Sequence, residues 1–317
     1  MNVAMTALAA LILLLATLAL LTWWITRQAE RQAPPIGQFA EVNGARLHYL
    51  DQGSGPAIVA LHGVNGNLRD FYRLIDRLAE NHRVIAIDRP GCGYSVMLSG
   101  PQPPLRAQAS LVAALMDRIG VQEATVVGHS LGGALALALA LDHSKHVRSL
   151  ALIAPLSQAK LAVPRLFKAF QMPPALRRLI AYTSVTPVSR LVQKAALTWS
   201  FAPDPPCYDY LVQGGGVLSV RPGNFLAAAA DIASVRGELL QMVPRYGSLN
   251  MPVHIIFGRQ DACLDGSIHG ERLAESIPHA KLRLIDGGHL ITVAAADAVY
   301  EMIRQAAREG YSPADDG

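Results

Sequence analysis

Three residues of this 317-residue chain have types and spacings that could do chemistry together: Ser130, Asp261 and His289. Ser130 lies in VVGHSLGG, between Gly128 and Gly132 and at the end of a valine-rich run. A serine before an alanine-leucine run can simply start a helix, because its hydroxyl caps the first free N–H groups. The glycines ask for more. A strand that turns sharply into a helix on one strained residue needs small neighbours two positions either side of it. Gly128 and Gly132 supply that room in a G-x-S-x-G pattern, and Gly133 lets the helix lie close to the sheet.

A serine is a weak nucleophile unless a base takes its proton, so the chain must also supply a histidine and an acid to orient it. Of the ten histidines, His289 in IDGGHL follows the last apolar extended run. His129 lies inside the turn itself and His279 precedes its strand, so neither is placed to act as the base. Asp261 in FGRQD comes just after another extended run. Its neighbour Asp265 reads better as the cap of the following helix. Two backbone N–H groups would complete the set. Val64, after His62-Gly63 in LHGVNGN, and Leu131, after the serine, are placed to hold a carbonyl oxygen as it becomes negative. The alternative for LHGVNGN is an ordinary strand-to-helix turn. Together the residues keep the order Ser, Asp, His, each at the carboxyl end of an extended run. We read Ser130 as an activated nucleophile.

The elements that must position these groups alternate along the chain. Residues 38–42 and 46–51 flank Asn43-Gly44 as a hairpin. AIVALH (57–62), RVIAID (83–88), ATVVGH (124–129), VRSLALIA (147–154), VHIIFG (253–258) and KLRLID (281–286) read as strands. Helical patterns lie between them over 68–80, 105–119, from Ser130 onward, 270–277 and 290–308. This alternation predicts an α/β fold: a mostly parallel, eight-stranded sheet with helices on both faces. The gap from Ala154 to Val253 is far longer than one crossover needs and is broken by Pro164, Pro173-Pro174, Pro187 and Pro205-Pro206. It predicts an inserted helical cap over 157–250, with the core in 34–156 and 251–317.

Composition narrows the partners. Half the residues are hydrophobic (51%) and 16% are charged, with a net charge of +4. No cluster of basic and aromatic residues marks a nucleic-acid surface, so nucleic acid is not an expected partner. Cys92, Cys207 and Cys263 show no C-x-x-C or metal-ligand spacing, so neither a disulfide framework nor a metal site is expected. Three scattered thiols lean toward a reducing compartment.

The first charged residue is Arg27. The apolar run from Val3 to Ile25 is long enough to cross a bilayer, so residues 1–33 are expected to be a single-pass membrane anchor and linker. A secretory signal would show a basic start, a shorter apolar stretch and a small-residue cleavage site, and none is present. Trp23 and Trp24 fall where an interfacial aromatic belt belongs. Arg27 and Arg31 after them put the main domain on the cytoplasmic side. Ala33-Pro34-Pro35 reads as a stiff linker.

LHGVNGN, DRPGCGYS, VVGHSLGG, FGRQD and DGGHL, spread over residues 38–308, resemble the α/β-hydrolase superfamily. DRPGCGYS resembles a loop of its epoxide hydrolase, dehalogenase and haloperoxidase-like branch. Epoxide hydrolases and dehalogenases of that branch use an aspartate nucleophile, whereas this chain carries Ser130. The resemblance therefore implies hydrolysis of an ester, thioester, amide or C–C bond through an acyl-enzyme. Cys92 stands where that loop often has histidine or glycine, and reads as a packing residue.

The expectation is a serine hydrolase with a small apolar acyl substrate and neither a metal nor an organic cofactor. A C–C hydrolase would use the same three residues, but would need a buried cation for an anionic substrate group. A binding module on this fold would typically lack one of them. Residues 157–250 carry ten Lys and Arg against four Asp and Glu. In LAVPRLFKAFQMPPALRRLI they alternate with apolar residues at helical spacing, as in a helix with a solvated basic face or one that leans on anionic lipid.

Overall fold

The computed structural model describes residues 3–160 and 172–311. Its centre is a twisted sheet with strands β1 (Gln38–Val42), β2 (Ala45–Gln52), β3 (Ala57–Leu61), β4 (Arg83–Ile87), β5 (Val96–Met97), β6 (Ala124–His129), β7 (Val147–Ile153), β8 (Val253–Gly258) and β9 (Lys281–Ile285). The order is β1-β2-β4-β3-β6-β7-β8-β9, antiparallel from β1 to β4 and parallel from there on. The expected eight strands are all present. The ninth, β5, pairs with the start of β2 and is two residues long, too short to leave an alternation in the sequence.

Successive residues of the central strands are buried on opposite faces, as a sheet covered on both sides requires. Val59, Leu61, Ile85 and Ile87 pack under helices α3 (Leu105–Arg118) and α4 (Leu131–Asp142). Ile58, Ala60, Val84 and Ala86 pack on the opposite face, against α2 (Ile75–Ala79) and the C-terminal helix. Every residue of β6 and β8 is buried, which explains why both read as unbroken apolar runs.

Some helices are shorter than expected. Residues 68–80 form a 3-10 turn, Leu68–Phe71, and then α2. The Asn67 side chain accepts from the Arg69 N–H, and an Asp88 carboxylate oxygen takes the Leu68 N–H, which holds the first turn away from α-helical geometry. Between β7 and β8 the described residues include α5 (Pro174–Ile180), a π-helical turn (Ala181–Val185), α6 (Thr186–Phe201) and α7 (Pro222–Met242). The first part of the basic stretch, including Leu161, Leu166, Phe167 and Phe170, lies outside the described residues. Beyond α7, α8 (Arg272–Ser276) follows a π turn that starts at Ser267, and the last helical stretch divides at Ala295 into α9 (Ile291–Ala294) and α10 (Ala296–Tyr311).

The N-terminal helix α1 (Val3–Gln32) runs past the apolar segment and ends just before Pro34-Pro35. At 30 residues it is long and apolar enough to cross a membrane. Its second half is not a free tether. Ile25, Ala29 and Ala33 are buried against Val217, Leu218 and Val220, and the Thr22 hydroxyl donates to the Thr183 carbonyl. Arg221 pairs with Glu30 at 3.2 Å, and the Tyr94 hydroxyl donates to the Ala33 carbonyl.

Candidate active site

Ser130 stands between β6 and α4 with φ 54° and ψ −120°, in the left-handed region that side chains rarely adopt. Such a residue costs about 1–3 kcal/mol and persists only when its surroundings hold it. Here the backbone is pinned three times. The Ser130 N–H donates to the Ile153 carbonyl, while its own carbonyl accepts from Gly133 and Leu156. The turn is too crowded for a side chain two positions either side of it. A Cβ on Gly132 would lie 2.0 Å from the Leu61 carbonyl oxygen, and one on Gly128 would lie 2.4 Å from that of Gly132. The side chain is thereby lifted off the sheet edge.

His289 and Asp261 arrive from the ends of β9 and β8. The Ser130 hydroxyl donates to His289 Nε2 at 3.0 Å, and His289 Nδ1–H donates to Asp261 Oδ2 at 2.6 Å. The Asp261 side chain is fully shielded from solvent, and its other oxygen accepts the N–H groups of Cys263 and Leu264. A carboxylate held this way fixes the imidazole tautomer that leaves Nε2 free to take a proton. Asp265 lies outside this chain of bonds. It is exposed, and one of its oxygens accepts from both the N–H and the hydroxyl of Ser267, at the start of the π turn. Burial pushes the nearby Cys263 thiol up to about 12, so it is a neutral neighbour of the pair.

The loop after β3 abuts the serine: a Cβ on Gly63 would lie 3.1 Å from Ser130 Cβ. Among the described residues, the N–H groups of Val64 and Leu131 have no hydrogen-bond acceptor. That loop is held from behind by residues that the sequence pattern did not single out. The Arg89 guanidinium is fully buried and donates to the carbonyls of His62 and Gly63, to Gln108, and to Asp231 of α7 at 2.8 Å. Burial and the Arg89 charge drive the His62 pKa well down. The ring is therefore neutral, accepting the Arg89 N–H on Nε2 and donating from Nδ1 to Gly63. Asp88 fixes the next loop, taking the Tyr94 N–H and a His48 ring proton. Cys92, within that loop, is buried.

The loop carrying His289 is anchored too. Gln260 accepts the Gly287 N–H, and Asp204, from the segment between β7 and β8, accepts the Gly288 N–H at 3.0 Å. His129 is no base, but its Nε2–H donates to the His289 carbonyl at 3.1 Å. His279 is remote, against Met251.

Burial, with the neighbouring His289 next in weight, lowers His129 to about 3. An unfolded histidine takes up a proton near pH 6.5, so below that value the unfolded state binds more protons and the folded state loses stability until about pH 3. A His129→Gln variant keeps an N–H donor and removes the titration. Between pH 6.5 and 4 its unfolding free energy should fall less steeply than that of the parent, by on the order of 1 kcal/mol per pH unit. Parallel curves in chemical denaturation would contradict this.

The comparisons with known proteins agree with this architecture. A profile of the alpha/beta hydrolase fold matches residues 56–293. The chain is 40% identical over 128 residues to the dihydrolipoyllysine-residue acetyltransferase component of the acetoin cleaving system of Cupriavidus necator, a match covering 40% of this chain and only 34% of that protein. It is 27% identical over 263 residues to a 2-hydroxy-6-oxo-6-phenylhexa-2,4-dienoate hydrolase of Burkholderia cepacia, covering 80% and 88% of the two chains. In fold it is similar to the enol-lactonase of Burkholderia xenovorans LB400, with a TM-score of 0.68 at 22% identity, over 84% of this chain and 98% of that one. With a profile match across three quarters of its length and a doubly covered parallel sheet, the chain belongs to the alpha/beta hydrolase fold family.

Proposed function

We propose that this protein is a membrane-anchored serine hydrolase that cleaves a carboxylic ester with an apolar moiety through an acyl-enzyme. The observation that carries the reading is the unbroken chain Ser130–His289–Asp261, at 3.0 and 2.6 Å, ending on a strained serine. In the proposed reaction Ser130 Oγ attacks the ester carbonyl carbon as His289 Nε2 takes its proton. The carbonyl oxygen becomes an oxyanion between the N–H groups of Val64 and Leu131, each such donor contributing about 3 kcal/mol. The intermediate collapses as the imidazolium returns the proton to the departing alkoxide. A water molecule, deprotonated by His289, then attacks the acyl group, and Ser130 regains its proton as the acid leaves. Asp261 stabilises the imidazolium in both halves.

In this reading residues 34–156 and 251–317 carry the chemistry, 157–250 form the cap that shapes the acyl site, and α1 spans the membrane with the catalytic unit on the cytoplasmic side. Hydrolysis of p-nitrophenyl esters of graded acyl length tests the substrate class. The expected result is a kcat/KM that rises from acetate into medium-chain esters. Acetate as the best substrate would contradict an apolar acyl site.

A second reading, C–C bond hydrolysis, draws on the Burkholderia cepacia relative. The described cap residues favour the ester: none of their Lys or Arg side chains is buried, and the buried Arg89 is already paired with Asp231.

The acid assignment has its own test. Asp261→Asn should lower kcat by about 10⁴, since an amide favours the wrong imidazole tautomer. Asp265→Asn should change kcat less than about twofold while loosening one helix start. The reverse ranking in steady-state kinetics would transfer the role to Asp265.

A further inference from the structure

We infer that α5 and α6 form a second membrane-contacting surface, lying in the headgroup layer of the bilayer that holds α1 and facing anionic lipid. The inference rests on the reading of α1 as a membrane span.

Three observations converge. The first is where α1 is held. Its buried positions Thr22, Ile25 and Ala29 pack on the π turn after α5, on α6 and on residues 216–220. Trp23 and Trp24, which mark the interface level of a spanning helix, are exposed at the same height. With a rise of about 1.5 Å per residue, the elements docked on α1 at Thr22 lie within a few ångströms of that level. The α5–α6 unit is therefore carried to the membrane surface by the same contact that seats α1.

The second is the outer face of α6. Thr186, Gln193, Leu197 and Phe201 point inward. On the other side Val188, Leu191, Val192 and Trp199 fall at i, i+3, i+4 and i+11, forming a second apolar stripe in the open, with Leu191 83% exposed. A helix at a water-facing surface carries polar residues there. Helix α5 buries none of its seven residues and leaves Leu176 and Leu179 exposed as well.

The third is charge. Arg178, Arg190 and Lys194 are exposed on these helices, and none of the three forms an ion pair among the described residues. Arg190 also donates to Gln193 at 2.7 Å; apolar stripes bordered by cations without a carboxylate partner are the pattern of a helix lying in an anionic interface.

The test uses the full chain in lipid nanodiscs, with a fluorophore on cysteine at Leu191 (Leu191→Cys), at Leu13 in α1 (Leu13→Cys) and at Glu301 on α10 (Glu301→Cys). The unsubstituted protein reports background labelling. Quenching by acyl-chain nitroxide lipid is compared with quenching by aqueous iodide. We expect the Leu13 and Leu191 labels to lose most of their emission to the lipid quencher and the Glu301 label to lose it to iodide. For Leu191, lipid quenching should be stronger when phosphatidylglycerol is mixed into phosphatidylcholine, and Arg190→Glu with Lys194→Glu should remove that difference. Lipid quenching at Leu13 with iodide quenching at Leu191 would overturn the inference and leave the span intact. Iodide quenching at both would overturn both. Equal lipid quenching of Leu191 in the two lipid mixtures would overturn the preference for anionic headgroups.

Discussion

Ser130→Ala is expected to lower kcat by about 10⁴ to 10⁶, with KM changing little, and His289→Ala should come within about an order of magnitude of it. The two losses should not add in the double variant, because the hydroxyl and the imidazole act as one unit through their 3.0 Å bond. The folded state should survive the serine change. Ser130 sits at φ 54°, and three backbone hydrogen bonds hold that conformation without the side chain. Steady-state kinetics with thermal unfolding of both single variants and the double variant checks the prediction. A double variant whose loss is the product of the two single losses would mean that they act independently.

Arg89→Ala is expected to be the most destabilising single change near the site, by about 3–5 kcal/mol, because it leaves Asp231 buried without its cation. Gln108 alone would remain beside that carboxylate. Replacing both partners with apolar residues, Arg89→Met with Asp231→Leu, should recover most of the stability, since a buried ion pair contributes little net when it is removed whole. Activity should not return with it. The Arg89 donors to the His62 and Gly63 carbonyls would still be missing, and they fix the loop that presents the Val64 N–H. Denaturation midpoints and kcat of the single and double variants separate the two roles. Recovery of both together would reduce Arg89 to a packing residue.

Arg89 also shows where reading the sequence stops. Its partner Asp231 is 142 positions away on α7, and no spacing rule links a loop residue to a helix that far along the chain. Asp204 is the same case, holding Gly288 from the segment between β7 and β8. What was legible was local. The valine-rich run into Gly128 and Gly132 predicts the turn at Ser130, since a strand period that gives way to a helical one on a serine between glycines has few other solutions. His289 and Asp261 could be placed because a parallel sheet gathers the carboxyl ends of its strands. The sequence places His129 inside the turn, and the hydrogen bond it gives the His289 carbonyl depends on a ring orientation that only the folded chain fixes. The apolar run of α1 was plain, but its seat against Val217, Leu218 and Val220 was not: small and β-branched residues at helical spacing look alike whether they face lipid or protein.

Ser130 is expected to be nucleophilic in the folded chain. Treating the protein with a fluorophosphonate probe and locating the adduct by peptide mass spectrometry tests it most directly, because the phosphonyl group goes only to a serine whose proton a neighbouring base removes. One adduct per chain is expected, on the peptide containing Ser130, lost in Ser130→Ala and strongly slowed in His289→Ala. A folded protein that takes no label, or one labelled elsewhere with Ser130 untouched, would mean that Ser130 is not activated.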